Sequence, residues 1–250
     1  MIFKVIHMNK TIYANTQNRG DNNCKDCRAR YRDLCGVMSD DTIYTLYDLG
    51  RSNKIEKGEY LFMEEAPSTY VYNISSGMLM LERIGSDGRR QIISFVYPGD
   101  FIGLTVDSNY SVSCRAIEAS RFCRWKRTEL EQFAEGHQNL EKSLRVIGNK
   151  VLARTIDQIF ILGRKNAVER LAFFLLQTSG RQINAGLSET QLNLPMTRTD
   201  IADHLGLTIE TVSRAFSRLS KDKLIELATP SLVTVLDHDR LIKCADNYKV

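Results

Sequence analysis

Between residues 139 and 165 the apolar positions fall at helical period. Leu140, Leu144, Ile147 and Val151 recur at steps of four and three, and the stripe resumes one residue later at Leu152, Ile156 and Ile159. No proline interrupts the run, and no glycine stands between Gly148 and Gly163. A helix of about 25 residues exceeds what most small cores need, and a near-heptad stripe suits a self-paired coiled coil. Leu144, Ile147, Val151, Ile156 and Ile159 are therefore the expected dimerisation positions. A long helix packed on its own domain is the other reading.

Upstream the period changes. Residues 70–75, 77–83, 91–96 and 111–116 read as short strands, with turns at Gly58, 85–88 and 98–103. Strands this short and this closely punctuated predict an antiparallel barrel or jelly roll across 37–138. Residues 1–36 show no sustained apolar period and read as an irregular, ligand-organised segment. Residues 166–250 read as short helices, the first over 166–178, closed by a hairpin of 224–227 with 232–236. The fold class is α+β: a barrel, a long helix over 139–165, and a C-terminal winged helix-turn-helix.

The helix-turn-helix lies at 197–221. Thr197 is a good N-cap with Asp200 at the capping-box position, and Met196 can staple to Ile201. Gly206 stands where the chain must bend, and Thr208 can cap a second helix with Val212, Ala215, Phe216 and Leu219 inward. Its outward face carries Glu210, Ser213, Arg214, Ser217 and Arg218. Arg214 can donate twice to guanine and Glu210 can accept from cytosine, while Arg218 and Lys221 suit phosphates. Double-stranded DNA is the partner such a face fits.

Composition narrows the class further. Hydrophobic residues are 43% and charged residues 26%, a soluble globular balance. No apolar run approaches the ~20 residues of a membrane span, and the first ten residues lack a signal-peptide pattern, so a cytoplasmic protein is expected. The net charge of +4 is unevenly spread: residues 139–167 hold six basic and two acidic side chains. Six cysteines occur (Cys24, Cys27, Cys35, Cys114, Cys123 and Cys244), three of them within twelve residues. In a cytosolic chain such a set is more often metal-binding or redox-active than disulfide-bonded. A dinucleotide loop, a nucleophile elbow and a paired-carboxylate motif are all missing, which argues against an enzyme.

At IETVSRAFSRL the chain resembles the Crp–Fnr family of transcription regulators, whose E-x-x-S-R motif falls on Glu210, Ser213 and Arg214. KGEYLF, GMLMLERIGSDGRRQI and YPGDFIGL resemble that family's cyclic-nucleotide-binding-like β-roll sensor domain. The resemblance implies a homodimer on TTGAT-like palindromes, and an activator touching RNA polymerase through the turn at 85–90. Leu104 and Tyr110 stand where cyclic-nucleotide members keep an acidic residue and an arginine, so a cyclic nucleotide is disfavoured. Fnr-like members instead hold an oxygen-labile 4Fe–4S cluster on four cysteines. The matching positions are Cys24, Cys27 and Cys35, spaced C-x2-C-x7-C with Leu34 before the third thiol, and Cys123 as the central cysteine. That spacing resembles the FnrN/FixK-like branch. Lys25, Arg28, Arg30 and Arg32 are expected to offset cluster charge and favour thiolates. Structural zinc and a metal-free thiol–disulfide switch are the alternatives, and Cys114 competes as fourth ligand. The functional expectation is oxygen sensing that controls genes for low-oxygen metabolism.

Overall fold

The computed structural model describes residues 24, 27, 29–183 and 190–246. The rest of the amino-terminal segment, with His7, Lys25 and Arg28, lies outside the described residues. Two short helices open the structure, α1 (Asp33–Gly36) and α2 (Asp40–Leu49). Eight strands follow: β1 (Arg51–Ile55), β2 (Tyr60–Phe62), β3 (Tyr70–Ser76), β4 (Leu79–Ile84), β5 (Arg90–Val96), β6 (Phe101–Ile102), β7 (Ser113–Ala116) and β8 (Ser120–Lys126). They form two four-stranded sheets, ordered β1-β8-β3-β6 and β2-β7-β4-β5. Between them Phe62, Tyr72, Ile74, Leu79, Cys114 and Phe122 make the interior of a β-roll.

After the roll come α3 (Arg127–Glu135), α4 (Gln138–Arg164) and α5 (Ala167–Ile183). The chain ends in β9 (Gln191–Asn193), α6 (Arg198–Leu205), α7 (Ile209–Lys221), β10 (Ile225–Thr229), β11 (Leu232–Val235) and α8 (His238–Asp246). The expected hairpin is present as β10 and β11, and β9 adds a third strand to it. The long helix occupies nearly the expected span. The helices α1, α2, α3 and α8 and the strands β1, β8 and β9 were not anticipated, whereas β2 and β6 fall within KGEYLF and YPGDFIGL. Most are short, and α2 depends on one local device: Ser39 Oγ accepts from the Thr42 amide at its N-terminus.

The two faces of α4 have different fates. Leu140, Leu144 and Ile147 pack into the chain's own core beside Leu34, Trp125 and Leu130. Ile147 is only 5% exposed, whereas Val151, Ile156 and Ile159 are 51%, 58% and 67% exposed. The first half of the expected dimerisation stripe therefore serves the monomer, and only the second half faces outward. The stripe drifts because 3.6 residues per turn do not match a strict heptad, so one row of side chains rotates away from the roll.

The C-terminal domain is docked on the roll. One apolar group runs from Met80, Ile92 and Phe95 in the roll through Leu171 and Phe174 of α5 to Ile201 and Phe216 of the helix-turn-helix. At its edge Arg90 reaches Asp200 of α6 at 2.6 Å, Asp203 at 2.8 Å and the buried Glu82 at 3.3 Å. His204 of α6 is buried with Nδ1 3.0 Å from the Ile92 carbonyl, and packs edge-on against Phe95. Burial holds its imidazole below the ordinary value, and the carbonyl contact opposes this only in part. A depressed imidazole means that the unfolded chain takes up the proton first. The stability from this contact is thus present above about 6.5 and is lost as pH falls below it. Urea midpoints should drop between about pH 7.5 and about pH 5, and His204→Gln should lessen the drop.

Candidate functional site

Strand register builds one floor of the cysteine site. Ser52 of β1 lies opposite Cys123 of β8, Cys123 opposite Asn73 of β3, and Asn73 opposite Phe101 of β6. Residues in register share a sheet face, so these four form a row across the sheet. Above the row sits α1, whose Leu34 and Cys35 are buried in the same apolar group as Phe101 and Trp125. Asn73 bridges the two layers, its amide 3.2 Å from Cys35 Sγ. Cys24 and Cys123 pack against this group as well. Tight turns, with the Cys27 amide on the Cys24 carbonyl at 3.3 Å and Arg30 on Cys27 at 2.9 Å, carry the first two cysteines to α1.

The loop is held by polar contacts on three sides. Lys150 of α4 pairs with Asp33 at 2.5 Å, and Ser143 donates to the Asp33 carbonyl at 3.0 Å. Arg30 donates to the carbonyls of Cys35 and Met38 and to Asp40, and Arg32 donates to the Pro98 carbonyl. Trp125 fixes the far edge by donating to the Leu46 carbonyl at 2.6 Å. Gly50 lies so close to that indole that an added Cβ would stand 2.5 Å from its Nε1.

Electrostatically the site differs from expectation. Burial pushes the Cys35 thiol up to about 12, reinforced by Cys27 and Cys24, and Arg30 and Asn73 oppose it only weakly. Burial also raises Cys123, with Cys35, Cys27 and Cys24 adding to it, and raises Cys24. The expectation that nearby arginines favour thiolates is therefore corrected. Desolvation outweighs them, because Arg30 and Arg32 are spent on backbone carbonyls and Asp40. Cys24, Cys35 and Cys123 share one apolar group, and Cys27 is bonded to the Cys24 carbonyl through its amide. Cys114 is not among them: it points into the roll interior, its thiol raised by burial and by Glu82. Among the described residues no three His, Cys, Asp or Glu side chains are grouped tightly enough for a single metal ion.

The roll interior is aromatic where the resemblance would need a phosphate-binding cation. Tyr110 stacks on Phe62 with centroids 4.0 Å apart and donates its hydroxyl to the Tyr70 carbonyl at 2.7 Å. Leu104 is exposed.

The second candidate surface is the helix-turn-helix. Thr197 and Asp200 form the capping box, Gly206 takes the left-handed turn with φ 62°, and Thr208 caps α7. Val212, Ala215, Phe216 and Leu219 face inward, while Glu210, Ser213, Arg214, Ser217, Arg218 and Lys221 are all exposed. Glu210 is held below the usual carboxylate range by its own backbone N–H and then by Thr208, so it is an ionised acceptor. Arg218 is partly engaged by Asp222 at 2.8 Å. Sequence reading missed Asn73, Arg90, Asp100 and Arg181, whose roles come from contacts between distant segments. It also missed Arg198, whose guanidinium lies 3.4 Å from the centre of the Phe216 ring.

Residues 52–137 match the cyclic nucleotide-binding domain, and residues 169–244 match the Crp-like helix-turn-helix domain. The chain is similar to the nitrogen fixation regulation protein FixK of Bradyrhizobium diazoefficiens, 35% identical over 204 residues, 82% of this chain and 86% of that one. It is also similar to the transcriptional activator protein anr of Pseudomonas aeruginosa, 32% identical over 231 residues, 89% of this chain and 92% of that one. The solved structure of FixK2 from Bradyrhizobium japonicum matches with a TM-score of 0.75 at 32% identity, covering 80% of this chain and 99% of that one.

Raised thiols predict a pH effect on the metal-free protein. The folded state keeps the Cys35 proton up to about 12, while the unfolded chain releases it near 9.0. Stability should therefore fall as pH rises across that window, since the unfolded state loses the proton first. Denaturation at about pH 8 and about pH 10 should show the loss, and Cys35→Ala should reduce it.

Proposed function

The chain belongs to the Crp–Fnr family of DNA-binding transcription regulators, and from that premise we propose an oxygen-responsive, homodimeric activator that senses through a 4Fe–4S cluster on Cys24, Cys27, Cys35 and Cys123. It is a regulator and not an enzyme. The observation that carries the proposal is the packing of Cys24, Cys35 and Cys123 in one apolar group, with the Cys27 amide bonded back to the Cys24 carbonyl. Four cysteines are the usual ligand set for such a cluster. When bound, the cluster supplies a centre that oxygen can oxidise and break down. Leu34, fully buried beside Cys35, keeps that side dry. Lys150 and Arg30 fix α1, so a change at the thiols is felt by α4. Raised thiols make metal uptake pH-dependent, because ligation must displace their protons.

The outward half of α4 is the proposed dimer seam. Val151, Ile156 and Ile159, with Leu152 and Phe160 beside them, leave an apolar stripe in water that a twofold copy would cover. On DNA, Arg214 reads guanine and Glu210 the cytosine paired to it or adjacent, Ser213 tolerates thymine, and Ser217, Arg218 and Lys221 lie toward the backbone. The exposed turn at 85–89 is the proposed contact with RNA polymerase, while Arg90 is already committed to α6. The aromatic roll interior supports the absence of a cyclic-nucleotide signal. With no helix among the described residues long and apolar enough to cross a membrane, the proposed location is cytoplasmic.

Protein purified without oxygen should carry about four irons per chain by metal and sulfide analysis. Serine at position 24, 27, 35 or 123 should lose them, whereas Cys114→Ser and Cys244→Ser should keep them. Stoichiometric zinc without iron would replace this reading with a structural-metal one. Ile156→Glu and Ile159→Glu should sediment as monomers, while Ile147→Glu should instead destabilise the fold, because its side chain is buried. Arg214→Ala should cost ~1–3 kcal/mol per half-site and flatten preference at the G·C pair of a TTGAT-like half-site, whereas Lys221→Ala should weaken all duplexes alike. Titration of a duplex set varied at each position separates the two outcomes.

A further inference from the structure

The C-terminal domain does not close completely on the roll. Between β5, α4 and α5 remains a cavity of about 560 Å³. Ile92, Phe95, Phe101, Ile147 and Phe174 supply apolar walls, and the exposed Val151 and Ile159 line it from α4. Leu104 and Tyr110, which stand where cyclic-nucleotide members keep an acid and an arginine, do not line it. Several polar side chains in the wall are turned to the chain itself. Ser94 donates to the Phe95 carbonyl at 3.1 Å and Thr155 to the Val151 carbonyl at 2.9 Å. Gln91 and Gln158 both donate to the His204 carbonyl, at 3.3 and 3.1 Å. A ligand with polar groups spread along its body would find few partners there.

One end of the cavity is cationic. Asp100 accepts on Oδ2 from Arg181 at 2.5 Å and from the Tyr97 amide at 2.9 Å. Arg154 stands 3.8 Å from Oδ1, an ion pair without a hydrogen bond, so its N–H donors can take a ligand's oxygens. Arg32 reaches the same turn by donating to the Pro98 carbonyl at 3.1 Å. One carboxylate is therefore shared by three guanidiniums. The other acid in the wall, Asp33, is already paired with Lys150 at 2.5 Å. Burial holds the Arg32 and Arg154 guanidiniums below their ordinary range, Arg181 adds to this, and Asp100 opposes it only in part. The end carries an excess of positive charge beside an apolar space.

We propose that this cavity binds an amphipathic carboxylate, its head on Arg154 and Arg181 and its apolar body along Ile92, Phe95 and Phe174. A carboxylate matches the fork of a guanidinium, and the walls offer the rest of the ligand hydrocarbon contacts. The volume suits such a molecule, since small-ligand sites span roughly 300–1,000 Å³. Its walls belong to the roll, to α4 and to α5, so a ligand there touches the sensor and DNA-binding domains at once. The competing occupant is a second copy's α4, because Val151 and Ile159 also belong to the proposed seam. That helix would bring further basic residues to a cationic end, whereas an anion neutralises it: residues 139–167 hold six basic and two acidic side chains.

The test is calorimetric titration of the full chain, purified without oxygen, with octanoate, octanol and acetate as probes. Octanoate should bind once per chain with a Kd below about 1 mM, and octanol and acetate at least about tenfold more weakly. Arg154→Gln should weaken octanoate at least about tenfold, and Arg154→Lys should recover part of the loss, since charge returns without the fork. Arg154 is 45% exposed, so both variants should keep the ligand-free urea midpoint of the wild type. Octanoate should raise that midpoint in the wild type and leave it unmoved in Arg154→Gln. Octanol binding as tightly as octanoate, or full octanoate affinity in Arg154→Gln, overturns the proposal. Acetate binding as tightly as octanoate reduces the site to a bare anion contact and overturns it too. No octanoate binding to the wild type does the same, and binding confined to the monomeric Ile156→Glu assigns the cavity to the second copy instead.

Discussion

The structure depends on the burial of one short turn of helix. Leu34 and Cys35 are wedged between the row Ser52–Cys123–Asn73–Phe101 and the first half of α4, in an apolar group that also contains Trp125 and Leu130. Burying those side chains contributes on the order of 1.5–3 kcal/mol each by area alone. The gain comes with a cost in charge: thiols placed there are driven toward their neutral forms. The pocket thus holds protonated cysteines until something displaces their protons.

That wedge also explains why α4 divides into two halves. Leu140, Leu144 and Ile147 are consumed by the roll and by α1, with Ser143 and Lys150 adding polar ties to Asp33. Beyond Lys150 the helix leaves the roll's apolar group and presents Val151, Ile156 and Ile159 outward. One helix therefore connects the cysteine pocket to the proposed partner-facing seam.

Docking of the helix-turn-helix on β5 adds a second line of connection. An apolar group shared by the roll and the C-terminal domain supplies the area, and Arg90, His204 and Asp100 fix the geometry. Apolar packing alone would tolerate sliding. Directional ion pairs at both ends of one strand do not, so the orientation of α7 follows the position of β5 and its flanking turn.

Much of this was legible in the residues because it is encoded locally. The capping box at Thr197, the bend at Gly206 and the inward spacing of Val212, Ala215, Phe216 and Leu219 depend on near neighbours, and each stands where the sequence put it. The length of α4 and several strands of the roll were readable from period alone. What the sequence could not decide is which distant residues meet. Period marks Ile147 and Ile156 as one apolar stripe, yet only the packed roll separates them into core and surface. Only folding sets Cys123 beside Cys35 and puts Cys114 inside the roll, a matter of register between strands remote in sequence. The arginines around the cysteines read as charge in the sequence, but folding assigned them to carbonyls and to Asp40 and left burial to set the thiols. Local hydrogen bonds and side-chain period travel with the chain, whereas desolvation and long-range pairing exist only once it is folded.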